Sequence, residues 1–291
     1  MSDMVGDPNW RALLETEAEE RLVTVGEHRL RVVAIGEGDP VLLVHGIADS
    51  AYTWHRNLRP LAEAGFRAIA FDYPGSGGTA LNNGFRFGVD RLTEMALGLL
   101  DALDIERTHY IGHSMGGGIG LQLAVHHADR LRRAVLVAPV CYHAIHRPFV
   151  YLFRWAPFGA LARNVIVGPW MTFQMLAREY VDTSLLTRHV RAQYELDCCR
   201  PECVRATVGL LRDYWNDAFE GTARRYGEIT VPLHLVWGKK DRTVFARLGH
   251  RLAADTGAPL SVVEGTGHQV HQARPDVFNE TVIRFLRGEA S

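Results

Sequence analysis

The sequence has no excess of positive charge, and this absence excludes one large class of partner. Its acidic and basic residues are interspersed and leave a net charge of −1 over 291 residues. Proteins that bind phosphate backbones or anionic lipid usually present a broad basic field. We therefore expect no nucleic-acid partner.

Cysteine is scarce, and the few cysteines do not form a metal-binding pattern. Three of the four lie in one short stretch, with no CxxC pair and no second cluster to match them. Structural zinc sites need such paired ligands. We expect neither a metal nor a cofactor, and interpret the cysteines as small buried hydrophobic residues in a reducing compartment.

Long apolar runs are missing as well. The amino-terminal residues lack the basic start and apolar core of a secretory signal, and no later run is long enough to span a bilayer. The prediction is a cytoplasmic protein without stable membrane insertion. Nothing in the pattern fixes its oligomeric state.

Short apolar runs are present, and they alternate with helical patterns. An antiparallel hairpin, RLVTV and RLRVVAIG, precedes them. The runs that read as buried strands cover residues 40–46, 66–77, 108–114, 132–139, 231–238 and 260–265. This βα rhythm predicts an α/β fold, with a mostly parallel sheet flanked by helices on both faces.

The rhythm stops between residues 141 and 225. Only helical patterns occur there, at 147–155, 168–180 and 184–196. No repeat and no Ser/Gly-rich linker separates this stretch from its surroundings. We predict a core made of residues 1–140 and 226–291, with residues 141–225 inserted as a helical cap.

The strongest chemical motif is Gly112-His113-Ser114-Met115-Gly116, which matches G-x-S-x-G. It follows an apolar strand and opens a helix, and the small residues permit the sharp turn that exposes a nucleophilic hydroxyl. The alternative interpretation is a simple tight turn. The strand–turn–helix context favours Ser114 as the nucleophile.

A serine hydroxyl needs a base, and the base needs an orienting group. His268 lies on a glycine-rich loop after the last predicted strand, and Asp241 follows the strand before it. The rival base is His271, which we interpret as the start of a solvated turn. The alternative role for Asp241 is a helix N-cap. We predict a triad of Ser114, Asp241 and His268.

An oxyanion hole needs two backbone N–H groups aimed at the carbonyl oxygen that becomes negative. Met115 supplies one by its position after Ser114. The second is expected from Ile47, where the chain leaves the strand PVLLVHG. His45-Gly46 as a mere turn is the alternative.

These segments together resemble a known superfamily. HGIADS, FDYPGSGGT, GHSMGGG, VWGKKD and GTGHQVHQARP are similar to the successive signatures of the α/β-hydrolase superfamily, over nearly the whole chain outside the insertion. The resemblance implies an eight-stranded sheet, the triad and the two amides named above, and a helical cap over the site. It also implies that Asp72 and Gly75 to Gly78 form a turn with a structural role.

The flanking residues favour one reaction class. Relatives that dehalogenate alkyl halides or open epoxides use aspartate as nucleophile, whereas this chain has Ser114. Carbon–carbon hydrolases of the superfamily commonly carry Asn before the serine, and proline aminopeptidases commonly carry Trp after it. His113 and Met115 fit a carboxylesterase or lipase-like enzyme better.

We predict a serine hydrolase that cleaves a carboxylic ester, thioester or lactone through an acyl-enzyme. Hydrolysis of a carbon–carbon bond in a β-diketone or vinylogous diketone is the alternative, and a non-hydrolytic ligand receptor is a third hypothesis.

The expected partner is a small hydrophobic acyl-containing substrate. The insertion holds many apolar side chains suited to lining such a pocket, namely Phe149, Tyr151, Phe153, Trp155, Trp170, Met171, Phe173, Met175 and Tyr180. Aromatic residues at helical spacing also pack a cap against its base, which is the alternative for each of them. The residues predicted to contact substrate are His45, Gly46, His113, Trp155, Trp170 and Phe173.

Overall fold

A computed structural model of the protein describes residues 6–142 and 169–289, and of residues 169–172 it describes only the backbone. Eight strands form one sheet. They are β1 (Glu19–Val25), β2 (His28–Ile35), β3 (Asp39–Val44), β4 (Phe66–Phe71), β5 (Thr108–His113), β6 (Leu131–Val137), β7 (Leu233–Gly238) and β8 (Leu260–Val263).

The strand order across the sheet is β1-β2-β4-β3-β5-β6-β7-β8. The first hairpin and the β2–β4 pair are antiparallel, and every pair from β4 to β8 is parallel. The carboxyl ends of β3, β5, β6, β7 and β8 therefore meet at one edge. The predicted eight-stranded, mostly parallel sheet is confirmed.

The central strands are largely apolar because both faces of the sheet are covered. In β3, Val41 and Leu43 belong to one hydrophobic cluster, while Leu42 and Val44 belong to the other. All four side chains are fully buried. Burial of such a side chain stabilises the fold by about 1.5–3 kcal/mol, so the two-sided core fixes the register of the strands that carry the site.

Helices cover both faces of the sheet, and further helices belong to the predicted insertion. They are α1 (Pro8–Thr16), α2 (Leu58–Glu63), α3 (Val89–Ala102), α4 (Met115–His126), α5 (Pro169–Tyr180), α6 (Arg188–Cys198), α7 (Pro201–Asp213), α8 (Asp217–Ala223), α9 (Ala246–Thr256), α10 (Val270–Ala273) and α11 (Pro275–Leu286). No described helix is long and apolar enough to cross a membrane.

Four of these helices, α5 to α8, lie within the predicted insertion, and the described part of that insertion contains no strand. The helical patterns at 168–180 and 184–196 correspond to α5 and α6. The pattern at 147–155 lies outside the described residues. The boundaries of the insertion and its role as a cap stay predictions.

One helix is shorter than the sequence predicts. The sequence suggests a single helix from Trp54 to Ala64, whereas the structure has a 3-10 turn over Ala51–Trp54 and then the short α2. Pro60 lacks an N–H group and is tolerated in the first turn of a helix but not in its interior. The helix therefore begins close to Pro60, at Leu58.

A buried carboxylate holds the turn after β4 against the turn that follows β3. Asp72 accepts hydrogen bonds from the amide of Ala51 at 2.6 Å, the amide of Gly78 at 2.8 Å and the guanidinium of Arg31 at 3.1 Å. A buried ion pair offsets the cost of its desolvation only when further hydrogen bonds satisfy the remaining lone pairs, and the two amides supply such bonds to Asp72. These contacts fix the loop that leaves β3, which carries Ile47.

Candidate active site

The predicted site residues all follow strands at the same edge of the sheet. Ser114 follows β5, Asp241 follows β7, His268 follows β8, and Ile47 follows β3. Parallel strands direct their carboxyl ends to one edge, and ligands of open α/β sheets bind there. The topology thus places four distant stretches of sequence in one region.

Ser114 occupies a strained turn. Its φ is 53° and its ψ is −111°, in the positive-φ region that non-glycine residues rarely adopt. The surrounding backbone holds it there, because its N–H donates to the carbonyl of Val137 at 2.9 Å and its carbonyl accepts from the amide of Val140 at 2.8 Å. Such strain persists only where neighbouring structure over-determines the conformation.

Glycines on both sides of Ser114 let three backbones approach closely. A Cβ on Gly112 would lie 2.4 Å from the carbonyl oxygen of Gly116, and a Cβ on Gly116 would lie 2.2 Å from that of Val44. No real Cβ tolerates such contacts. The glycines of G-x-S-x-G therefore serve the packing of β3, β5 and α4 against one another.

His268 and Asp241 are in direct contact. Nδ1 of His268 lies 2.7 Å from Oδ2 of Asp241, and both side chains are almost completely buried. The other carboxylate oxygen accepts the amides of Thr243 at 2.8 Å and Val244 at 2.9 Å. Asp241 thus caps the turn before α9 and also holds the imidazole. An Nδ1–H that donates to Asp241 leaves Nε2 to accept a proton.

His113 connects this pair to the serine turn. Its ring lies 4.6 Å from that of His268 between centroids, and its Nε2–H donates to the backbone carbonyl of His268 at 3.2 Å. His268 therefore packs against the residue that immediately precedes Ser114. Ser114 keeps 8% of its surface exposed and His268 keeps 2%.

The two predicted oxyanion amides lie at positions where N–H groups lack helical or strand partners. Met115 is the first residue of α4, and the first N–H groups of a helix have no acceptor within it. A Cβ on Gly46, which precedes Ile47, would lie 3.2 Å from Cβ of Ser114. Within the described residues, neither the Met115 nor the Ile47 amide donates to a protein acceptor.

The other three histidines near the site are held neutral. Burial, together with His268 and its neighbours, lowers the pKa of His113 and His271 well below the ordinary value, and burial also lowers that of His45. For His268, burial acts in the same direction, but the carboxylates of Asp241 and then Glu179 outweigh it and raise the pKa. The electrostatics therefore single out His268 as the ring that can take a proton.

His45 and His271 have structural partners. The amide of Tyr73 donates to Nε2 of His45 at 3.2 Å, and Nδ1 of His45 donates to the carbonyl of Gly46 at 2.8 Å, so no polar atom of that ring is left for a substrate. Nε2 of His271 lies 2.9 Å from the hydroxyl of Thr53. The expectation of a solvated turn at His271 is wrong, because this side chain is completely buried in α10.

Two carboxylates near His268 were not predicted from the sequence. Asp49 lies two residues after Ile47, and burial raises its pKa to about 8. Glu179, at the end of α5, faces the histidine loop, and burial raises its pKa as well. The first could have been found from its place directly after the oxyanion loop. The second gives no signal in a helical pattern, since only the docking of α5 brings it to the site.

Only some of the aromatic residues predicted to line the substrate pocket lie within the described part of the structure. Trp155 lies outside the described residues, as do Phe149, Tyr151 and Phe153, and the side chain of Trp170 is not described. Phe173 is half-buried, with the guanidinium carbon of Arg191 4.4 Å from its ring centroid. Met175 is 44% exposed, whereas Tyr180 is buried against Gln272.

The comparisons with known proteins agree with this geometry. A family model described as the α/β-hydrolase fold matches residues 39–169. A 2-hydroxy-6-oxononadienedioate/2-hydroxy-6-oxononatrienedioate hydrolase from Cupriavidus pinatubonensis is 30% identical, over 93% of this chain and 96% of its own. The chain belongs to the α/β-hydrolase family.

Other members of the α/β-hydrolase family are similar to a comparable degree. Epoxide hydrolase A from Mycobacterium tuberculosis is 29% identical over 92% of this chain and 97% of its own. The solved structure of a meta-cleavage product hydrolase from Pseudomonas fluorescens superposes with a TM-score of 0.76 at 23% identity, covering 94% of this chain and 98% of its own. The predicted family is confirmed, and so is the coarser prediction of a hydrolase.

The site has no metal-binding arrangement among the residues described in this α/β-hydrolase. No group of three or more His, Cys, Asp or Glu residues there is placed to hold an ion. Three of the four cysteines are buried, namely Cys141, Cys198 and Cys203, while Cys199 is half-buried. The interpretation of the cysteines as buried residues thus fits three of them.

Proposed function

We propose that this α/β-hydrolase is a serine hydrolase that cleaves a carboxylic ester, thioester or lactone of an apolar substrate. Oγ of Ser114 attacks the acyl carbon while Nε2 of His268 takes its proton. His268 then gives the proton to the leaving alcohol or thiol as the bond to the acyl carbon breaks. Water next attacks the acyl-enzyme, again with His268 as base, and the released acid restores Ser114.

One observation carries this proposal: the nucleophile turn and the Asp241–His268 pair occur together. Ser114 sits in the strained turn at φ 53°, and the 2.7 Å contact with Asp241 orients the imidazole of His268. The ring of His268 packs against His113, the residue before Ser114. During attack the carbonyl oxygen becomes negative. The amides of Ile47 and Met115 are the donors we assign to it, each worth about 3 kcal/mol of the barrier.

Carbon–carbon hydrolysis is the second candidate, and the relatives favour it. The Cupriavidus pinatubonensis relative acts on a 2-hydroxy-6-oxo dienedioate, which is a vinylogous diketone. The same serine, base and oxyanion donors serve such a substrate, with a carbon leaving group in place of oxygen. His113 stands where such enzymes commonly carry Asn, and it is this residue that favours the ester reaction.

Epoxide opening is not proposed despite the similarity to an epoxide hydrolase. That reaction in the family uses an aspartate nucleophile, and Ser114 occupies the nucleophile position here. A serine alkoxide that opened an epoxide would form an ether, which water does not readily hydrolyse. The serine therefore restricts the reaction to acyl chemistry.

The test is a substrate panel assayed with the wild-type protein and Ser114→Ala. It contains p-nitrophenyl esters of rising acyl length, a thioester, a lactone and a 2-hydroxy-6-oxo dienoate. The proposal expects turnover of the esters, increasing with acyl length, and loss of turnover by at least about 10³-fold in Ser114→Ala. Turnover of the dienoate alone would establish the second candidate instead.

Reaction with a fluorophosphonate separates both enzyme proposals from a receptor. An active serine is expected to be labelled at Ser114, and prior conversion to alanine should abolish the label. Full ester turnover by Ser114→Ala would overturn the serine mechanism. A wild-type protein that neither labels nor turns over any substrate would favour the non-hydrolytic receptor.

A further inference from the structure

The end of α5 touches the loop that carries His268. A Cβ on Gly267 would lie 2.2 Å from the carbonyl oxygen of Glu179 and 2.9 Å from a methyl carbon of Val181. Residue 267 therefore has room only for glycine. The backbone of the inserted helical segment and the backbone next to His268 are in direct contact.

Glu179 is bonded twice to the residue after His268. The main-chain N–H of Gln269 donates to the carbonyl of Glu179 at 3.4 Å, and the side-chain amide of Gln269 donates to its Oε2 at 3.0 Å. These bonds hold the carboxylate beside the histidine loop. They also tie α5 to a position adjacent to the triad.

The chain turns sharply directly after this contact. Val181 has a φ of 68°, which is a marked outlier for a β-branched residue. Such a conformation persists where the contacts on either side of it are fixed. On one side these contacts are Glu179 against the histidine loop, and on the other they include the turn Thr183–Leu185.

A second set of bonds supports the same junction. The side-chain amide nitrogen of Gln272 lies 2.6 Å from the hydroxyl of Tyr194 and 2.7 Å from that of Thr53. The hydroxyl of Tyr180 donates to the side-chain oxygen of Gln272. Gln272 also contacts Oε1 of Gln269 at 3.3 Å. A satisfied buried network of this kind makes the position of α5 and α6 specific.

The charged groups around His268 come from several elements. The carboxylates are Asp241 after β7, Glu179 on α5 and Asp49 after β3, while His113 and His271 face it as neutral rings. Arg178 and Asp241 act on Glu179 in turn. Glu179 is thus a second carboxylate near the imidazole, supplied by the helical segment rather than by the sheet.

We propose that Glu179 is a positioning residue for His268. Its bonds to Gln269 hold the histidine loop, and its carboxylate stabilises the imidazolium that forms when Ser114 attacks. This inference rests on the proposed function. It makes α5 a part of the apparatus that controls the base, in addition to any role as pocket wall.

The first test is Glu179→Gln, which keeps an oxygen to accept from Gln269 but removes the charge. The acid limb of kcat/KM reports the pKa of the base in the free enzyme. A neighbouring carboxylate favours protonated His268, so its removal lowers that pKa. We expect the acid limb to move to lower pH by roughly 0.5–1 unit, with kcat falling up to about tenfold and KM little changed.

Asp182→Asn is the matched control. Asp182 is exposed and lies three residues after Glu179. The substitution removes the same charge, and the side-chain oxygen of the introduced asparagine can still accept a hydrogen bond from the amide of Ser184. The control is expected to leave the limb and kcat unchanged. An equal shift in Asp182→Asn and Glu179→Gln would mean a general charge effect and would overturn the assignment to Glu179.

A readout without substrate separates this inference from the proposed function. NMR titration gives the pKa of the His268 ring, assigned by comparison with His268→Ala. A lower pKa in Glu179→Gln without turnover of any substrate would support the inference and refute the hydrolase proposal. An unchanged pKa would refute the inference whatever the activity.

Gln269→Ala tests the tether from the other side. It leaves the charge of Glu179 in place but removes the 3.0 Å side-chain bond. The expected result is a fall in kcat of about tenfold, because the base is less well placed. A wild-type kcat in Gln269→Ala would show that the tether does not position His268.

Discussion

The sheet and the helical segment of residues 169–223 reach His268 in different ways. On the sheet side, glycine-lined backbones are interlocked, as where Gly116 abuts the carbonyl of Val44. On the helical side there is one such close approach, where Gly267 abuts the carbonyl of Glu179, and side-chain hydrogen bonds such as those of Gln269 and Gln272 supply most of the other contacts. Interlocked backbone cannot yield without disturbing the core, whereas side-chain bonds can be exchanged. We infer that the sheet fixes the nucleophile and the helical segment adjusts the base.

The largest expected effect tests the part fixed by the sheet. Asp241→Asn retains an oxygen for the amides of Thr243 and Val244, so the fold should survive. Its amide would face Nδ1 of His268 and favour the wrong tautomer, which should lower kcat by about 10⁴-fold. Steady-state kinetics on the best ester measure this effect, and thermal unfolding checks the fold. A loss below tenfold would remove Asp241 from the triad.

The second prediction concerns the stability of the interlocked backbone. In Gly116→Ala the new Cβ would meet backbone atoms of Val44 and His45 at 2.2 to 2.8 Å, and neither strand end can move away. We expect a loss of about 3 kcal/mol in the free energy of unfolding, measured with denaturant.

Gly221→Ala is the control for this measurement. Gly221 is exposed in α8 and a Cβ there meets nothing within 4 Å. The substitution should stabilise the protein by about 0.5 kcal/mol. Equal stability of Gly116→Ala and Gly221→Ala would contradict the interlocked packing.

The smallest expected effect concerns the helical side. In Gly267→Ala the Cβ would collide with the carbonyl of Glu179. We expect α5 to move away, because side-chain bonds and one long main-chain bond hold it there. The result should be a fall in kcat of roughly tenfold, since displacement of a supporting group misplaces the base. The loss of stability should be smaller than for Gly116→Ala. If both variants lost the same stability, the distinction between the two regions would fail.

Several parts of the site could be predicted because local sequence dictates them. The G-x-S-x-G turn identifies Ser114, since the glycines and the flanking strand and helix patterns occur within a few residues. The order of Ser114, Asp241 and His268 after predicted strands follows from the βα rhythm. The family comparison confirms the fold that these patterns predict.

Other parts could not be predicted because they depend on contacts between distant residues. The position of His271 beyond the glycine-rich loop suggests a solvated turn, yet packing against Trp54 and Phe278 buries it. Glu179 looks like any polar position on an amphipathic helix. The surroundings of both residues are set only when α5 and α10 pack beside the sheet.

The sequence by itself therefore determined the class of fold, the nucleophile turn and the loops that bear its partners, because periodicity and glycine placement are local. The tertiary structure alone decided which groups surround His268. It buries His45, His113 and His271 as neutral rings and brings Asp49 and Glu179 near the base. The physical reason is that charge and desolvation act through space, between residues that the chain order keeps far apart.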